Sequence, residues 1–250
     1  MEILTSQLPS GGYGYEFPSV VLKPFTFLEM TEYLENVPSD PLEKYLYDLR
    51  VLTTEDRNIR FCYMMDADFL IFYKKLISVS GDKKYNMSIT CPKCGATIKS
   101  VIDIDKDVHF KQIDPKVMNG AYIELCGHKY ETTVPTVEDF IKVFSKILKY
   151  RKVTDLGLIK TIALIKDFDL NSNQVESDVL NATHEDITLL MALRELYYDN
   201  LEPIEVYCKN CTDEGGRRTS VAINVQSLVV DFFRDLCINC PIDGTKIVFK

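Results

Sequence analysis

Tyr85-Asn86-Met87-Ser88-Ile89-Thr90-Cys91-Pro92-Lys93-Cys94-Gly95-Ala96-Thr97-Ile98 is the stretch on which the reading of this chain turns. Apolar Tyr85, Met87 and Ile89 alternate with polar residues into Cys91, and Ala96, Ile98, Ile102 and Ile104 lead away at even spacing. That two-residue period predicts a β hairpin whose tip carries a Cys-x-x-Cys pair. Two thiolates from one tight turn can face a single soft cation, which suits tetrahedral sulfur coordination of zinc. The same plan returns later: Ile204 to Tyr207 enters Cys208-Lys209-Asn210-Cys211, and Ser220 to Val225 leaves it. Two such turns joined through one ion make a zinc ribbon, here interrupted by the segment from Asp105 to about Pro203. The expected ligands of a structural Zn2+ are therefore Cys91, Cys94, Cys208 and Cys211. A four-cysteine site leaves no open position for water or substrate, so the metal would brace the fold without doing chemistry.

A compact ribbon separates its two pairs by about 15 to 20 residues, whereas Cys94 and Cys208 are far apart, so the assignment rests on the strand context of both pairs. A third pair, Cys237 and Cys240, competes with them. The preceding Leu228, Val229, Phe232, Phe233 and Leu236 read as a helix that could aim Cys237 into the core, and the pair could equally replace either of the other two. A redox reading needs a Cys-x-x-Cys at a helix N-terminus within a βαβ pattern, which the strand context opposes. Cys62 reads as core. His128 lies two residues after Cys126, within reach of a metal, but in an alternating strand it reads as a surface imidazole. His109 and His184 have no nucleophile or carboxylate at useful spacing. Ser-centred elbows, HExxH, phosphate loops and framed carboxylate pairs are not found, and no enzyme is expected.

With 250 residues and 46% hydrophobic content, the chain can bury a sizeable core. It shows no charged and apolar leader and no apolar run near the roughly 20 residues of a membrane helix, so a soluble chain in a reducing compartment is expected. A net charge of −8 argues against a nucleic-acid coat. The local run Lys146, Lys149, Arg151 and Lys152 reads as a solvated helix end whose cations complement the macrodipole.

Leu8-Pro9-Ser10-Gly11-Gly12-Tyr13-Gly14-Tyr15 is turn-rich and predicts an exposed arm that docks onto something. Thr26 with Glu29, and Asp40-Pro41 with Glu43, mark two helix starts that fill about 27 to 50. Phe69, Phe72, Tyr73, Leu76 and Ile77 recur at helical spacing between Asp66 and Ser78. A second β segment, Ala121–Leu125 and His128–Thr133, turns at Cys126-Gly127. Thr136 with Asp139 then opens a helix with the stripe Val137, Phe140, Ile141, Phe144, Ile147 and Leu148. Helices are also expected at about 154 to 166 and 184 to 199, the latter starting from Thr183 with Asp186 and burying Ile187, Leu190, Leu193, Leu196 and Tyr197, with Asn171-Ser172-Asn173 as the loop between the two. The expected fold is α+β: split zinc-ribbon-like β hairpins with an inserted helical bundle and an N-terminal helical segment. Its parts would be 1–82 (arm and helices), 83–104 plus 203–250 (β module with a C-terminal helix) and 105–202 (inserted hairpin and bundle).

Taken together, several pieces resemble the baseplate hub assembly proteins of T-even-type, contractile-tailed bacteriophages. They are Leu8-Pro9-Ser10-Gly11-Gly12, Leu22-Lys23-Pro24-Phe25-Thr26 before an acidic helix, Cys91-Pro92-Lys93-Cys94-Gly95, Val134-Pro135-Thr136-Val137-Glu138-Asp139, and a second Cys-x-x-Cys followed by a strand and Phe232-Phe233. This chain departs from the pattern in its added Gly-Tyr-Gly-Tyr and its third cysteine pair. The resemblance implies a virion structural or assembly role in the hub or inner wedge of a baseplate, made in the host cytoplasm and carried into the tail. It also implies contacts with other baseplate subunits, possible self-association and no membrane partner. The alternative expectation is a zinc-ribbon module that binds nucleic acid, which the acidity opposes.

Overall fold

Helices begin where the sequence offers caps. In the computed structural model, which describes residues 1–80, 84–111, 113–150, 156–166, 173–198, 202–212 and 218–223, the elements run in chain order as follows. Strands β1 (Glu2–Leu4) and β2 (Ser19–Val21) precede helices α1 (Phe27–Asn36), α2 (Pro41–Glu55) and α3 (Met64–Ser80). Strands β3 (Lys84–Thr90) and β4 (Thr97–Asp103), a short helix α4 (Ile104–Asp107) and strands β5 (Tyr122–Leu125) and β6 (His128–Glu131) follow. Then come α5 (Val137–Tyr150), α6 (Leu156–Ile162), α7 (Asn173–Asn181), α8 (His184–Tyr198), β7 (Ile204–Thr212) and β8 (Arg218–Ile223). The fold is α+β, and among the described residues all four sheets are two-stranded and antiparallel. Among the described residues no helix is long and apolar enough to cross a membrane.

The caps act as read. Thr26 and Glu29 exchange bonds reciprocally, Glu29 N–H donating to Thr26 Oγ1 at 3.2 Å and Thr26 N–H to Glu29 Oε2 at 2.7 Å. Asp40 accepts from the amides of Leu42 and Glu43 at 2.9 and 3.0 Å. Thr183 and Asp186 cap α8 reciprocally. At α5 the Asp139 amide donates to Thr136 Oγ1 at 3.2 Å, and Val137, Phe140 and Phe144 are fully buried beneath that cap. Thr136→Ala is expected to cost about 1 kcal/mol in denaturant unfolding, the usual loss of a threonine N-cap; an unchanged midpoint would mean the cap bond contributes nothing.

The chain divides into two compact units. One gathers Met1–Lys23, Asn36–Ile71 and Gln112–Asn200; the other gathers Pro24–Glu35, Phe72–Lys111 and the described part of Leu201–Lys250. This differs from the three-part organisation read from the sequence. Within the first unit, Met1–Lys23 and Asn36–Ile71 share one interior with most of the insert because side chains far apart in sequence interlock. Tyr63 bridges to Thr136, and Val137 N–H donates to the Cys62 carbonyl at 2.9 Å. The Tyr45 ring meets Phe140 edge-on at 5.6 Å, and Lys160 Nζ pairs with Asp68 at 2.7 Å.

The glycine-tyrosine arm is not free, a correction to the sequence reading. Leu8 is fully buried and Ser10 nearly so. Asp66 in α3 is completely buried, and its carboxylate accepts from the Ser10 amide (2.9 Å), the Ser10 hydroxyl (2.7 Å) and the Tyr15 hydroxyl. Tyr15 in turn accepts from the Tyr63 amide at 2.6 Å and stacks on both Phe17 and Tyr63. The arm therefore docks onto its own chain. A carboxylate in an apolar interior is stable only when donors surround it, and the turn geometry supplies three.

Two further differences concern helices. The segment expected as helix to about 166 leaves the helix after Ile162. Thr133 N–H donates to the Leu164 carbonyl, Lys166 N–H to the Glu131 carbonyl, and Ile165 bridges Thr132. Pairing with the end of β6 thus outcompetes continued helix. Helix α7 begins at Asn173, where a loop is expected; its sequence, Asn-Gln-Val-Glu-Ser-Asp-Val-Leu-Asn, buries Val179 and Asp178 and offers a short apolar signal, the pair Val175 and Val179 four residues apart. Ile147, Leu148, Leu196 and the basic run from Lys146 to Lys152 lie outside the side chains described, as do Leu228 to Cys240.

Gly120 precedes β5 with φ at +79°, and a Cβ there would sit 2.0 Å from the Thr132 carbonyl oxygen. Both the backbone conformation and the contact demand glycine. Gly120→Ala is expected to lower stability by about 2 kcal/mol, measured by urea unfolding; an unaltered midpoint would show that the β5–β6 edge yields freely.

Candidate metal centre

Strands β3 and β4 pair from Lys84↔Asp103 to Thr90↔Thr97, so the hairpin closes just below its cysteine turn. Its alternation buries Met87, Ile98 and Ile102 on one side and leaves Lys84, Asn86, Ser88 and Lys99 outside. The turn is held by Cys91 N–H donating to the Ala96 carbonyl at 2.8 Å and Gly95 N–H to the Cys91 carbonyl at 2.9 Å. These bonds wrap the chain back under its own sulfurs. The amides of Cys94 and Lys93 face the Cys91 sulfur and bring its thiol down to about 7, which favours the thiolate a metal requires.

The second pair is placed differently, within β7 itself. Residues three apart on a regular strand face opposite sides, so Cys208 and Cys211 could not converge on one ion in an ideal ladder. The register of β7 against β8 shifts between Tyr207 and Thr212, a bulge that re-aims the intervening residues. As a result both sulfur-bearing residues are buried while Lys209 and Asn210 project outward. Ile204 and Val206 continue the inner face, and β7 lies along β4.

The four sulfurs meet, all within 4.8 Å of one another. Cys91 Sγ lies 3.9 Å from Cys211 Sγ, and Cys94 Sγ 3.7 Å from Cys208 Sγ. A tetrahedral ion with metal–sulfur bonds of about 2.3 Å has sulfur–sulfur edges of about 3.8 Å, whereas a disulfide needs about 2.05 Å; all four are free thiols. The spacing and the soft donor set fit a tetrahedral sulfur-bound ion. Electrostatics agree: the Cys211 thiol is pushed up to about 12, first by the facing Cys94 sulfur and then by burial. A bound divalent cation would favour the thiolate form of the sulfurs that hold it. Lys93 Nζ reaches the Thr212 carbonyl at 3.0 Å, a tie between the two tips that no spacing pattern signals.

All four ligands expected from the sequence are thus brought together. Cys237 and Cys240 lie outside the described residues. Cys62 is fully buried, as read, and burial pushes its thiol well up. His128 Nδ1 lies 2.8 Å from Asp178, whose carboxylate also accepts from the Tyr130 hydroxyl (2.6 Å) and the Gln174 amide (2.9 Å). Those donors, Tyr130 foremost, hold the Asp178 carboxyl below its ordinary range. Asp178 escapes the sequence reading because helix α7 does.

No protein-family model matches this chain, and no curated protein and no solved structure matches it.

Proposed function

We propose that this chain is a non-enzymatic structural or assembly component of a contractile phage tail baseplate, in the hub or inner wedge, whose hairpin unit is a split zinc ribbon closed by one Zn2+. The observation that carries the zinc reading is the convergence of four sulfurs from two hairpins separated by 114 and 120 residues. Sulfur ligands select zinc or iron–sulfur chemistry among common intracellular metals, and a closed four-sulfur set gives zinc a structural rather than catalytic place. Cys91, Cys94, Cys208 and Cys211 would hold the ion, and the ion would supply folding free energy. The resemblance of the ordered motifs to those of T-even-type hub assembly proteins supports the baseplate part of the reading. On that reading the protein is made in the host cytoplasm, acts in the tail baseplate, and touches neighbouring baseplate subunits or further copies of itself.

Two measurements test it. Purified protein should carry one zinc per chain by elemental analysis, and in infected cells the chain should co-sediment with tail intermediates that fail to mature when Cys91 and Cys208 are both replaced by serine. Normal tails built with a metal-free double variant would remove the structural role of the ion. A salt-dependent shift of DNA without tail association would favour the nucleic-acid module instead.

A further inference from the structure

The four sulfurs of the centre are unequal. Cys91, Cys208 and Cys211 are buried, at 1%, 1% and 6% exposure, whereas Cys94 is exposed at the hairpin tip. An attacking reagent from solvent therefore meets Cys94 first. The sulfur facing it at 3.7 Å is Cys208, which belongs to the other hairpin. A turn residue has room to close the remaining gap to bonding distance, because Cys94 sits in the tip turn outside the β3–β4 ladder.

We propose that Cys94 is an oxidative modification site at which hydrogen peroxide converts Cys94 and Cys208 into a disulfide, releasing the metal while keeping the two hairpins covalently joined. The inference rests on the zinc reading given above. The Cys94 sulfur attacks the distal peroxide oxygen, the O–O bond breaks, and water leaves, so that Cys94 becomes a sulfenic acid. Cys208 sulfur then attacks the Cys94 sulfur, the S–S bond forms, and the sulfenic oxygen departs as a second water with the proton balance closed by solvent. Two thiols and one peroxide yield one disulfide and two waters. With two ligands consumed, Cys91 and Cys211 would remain, among the described residues, to hold the ion, and it would be lost. A local bond between Cys91 and Cys94 would unstaple the hairpins, whereas a Cys94–Cys208 bond retains the same long-range connection that the metal made.

The experiment uses the full-length, metal-loaded chain treated with hydrogen peroxide. Zinc content is measured beforehand, zinc release is followed with a chromogenic chelator, and disulfides are mapped by mass spectrometry of non-reduced digests. The expected result is loss of one zinc per chain in step with a cross-link between the Cys94 and Cys208 peptides, two hydrogens lighter, and recovery of zinc binding after a thiol reductant. Release accompanied by Cys91–Cys94 or Cys208–Cys211 bonds, by a Cys94 sulfinic acid with no partner, or by no change at Cys94 would overturn the inference while leaving the zinc reading intact. A chain that carries no zinc when purified yet forms the Cys94–Cys208 bond would remove the zinc reading and keep the oxidation.

Discussion

Stripping the proposed zinc with a strong chelator is expected to unfold the hairpin unit while the α5 cap and stripe survive. Hydrogen exchange should lose protection across β3, β4, β7 and β8, and the helical amides of α5 should keep theirs. The magnitude follows from how little else, among the described residues, holds those strands. Among the described residues each sheet has two strands, a unit that in isolation is marginal in water, and their buried apolar side chains are Met87, Ile98, Ile102, Ile204 and Val206 beside the cysteines. Closing a connection of more than a hundred residues carries an entropic cost that those few side chains must offset. Structural zinc in comparable small sites contributes about 10–16 kcal/mol at neutral pH, far more than that apolar face. Serine at Cys208 should reproduce the effect of the chelator. Unchanged exchange in β7 after verified metal removal would show that packing alone suffices.

Asp66→Ala is expected to cost about 3 kcal/mol at pH 5, because the Ser10 amide, the Ser10 hydroxyl and the Tyr15 hydroxyl lose their shared acceptor inside the protein. The effect should depend on pH in a definite direction. Burial raises the Asp66 carboxyl to about 6, against the partial opposition of the Tyr15 and Ser10 donors. The folded state then holds this proton more tightly than the unfolded chain, whose aspartate titrates near 3.9. The stabilisation from Asp66 is fully present below about pH 4 and is lost as pH rises through about 6, a difference of about 3 kcal/mol for a gap of about two units. The penalty of the alanine variant should accordingly shrink between pH 5 and pH 7, and Asp66→Asn should flatten that part of the profile. Urea midpoints at the two pH values, followed by circular dichroism, provide the comparison. A penalty that grows toward pH 7 would mean that Asp66 is stabilised chiefly as an anion.

Elements with a local cause were readable in advance. Thr26, Asp40, Thr136 and Thr183 each place an oxygen where the first amides of a helix need one, so the starts of α1, α2, α5 and α8 follow from nearest neighbours alone. The alternation around Cys91 marks its hairpin for the same reason, since period two needs no partner to be visible. Helix α7 carries a shorter pattern, the pair Val175 and Val179. It exists beside a buried Asp178 satisfied by Tyr130 and Gln174, and a polar residue that becomes buried through a distant tyrosine leaves no local trace.

The cysteine chemistry and the strand context were written in the order of residues: thiolate pairs at Cys-x-x-Cys spacing on alternating segments imply a soft metal wherever two of them meet. Whether they meet was a tertiary matter. It depended on β4 lying along β7 and on a bulge that turns Cys208 and Cys211 to the same side, neither of which spacing encodes. The arm shows the same division. Glycine, proline and tyrosine specify a tight, aromatic turn, but only the folded chain brings Asp66 beneath it, because hydrogen bonds between residues 51 and 56 positions apart are decided by packing and not by sequence neighbours.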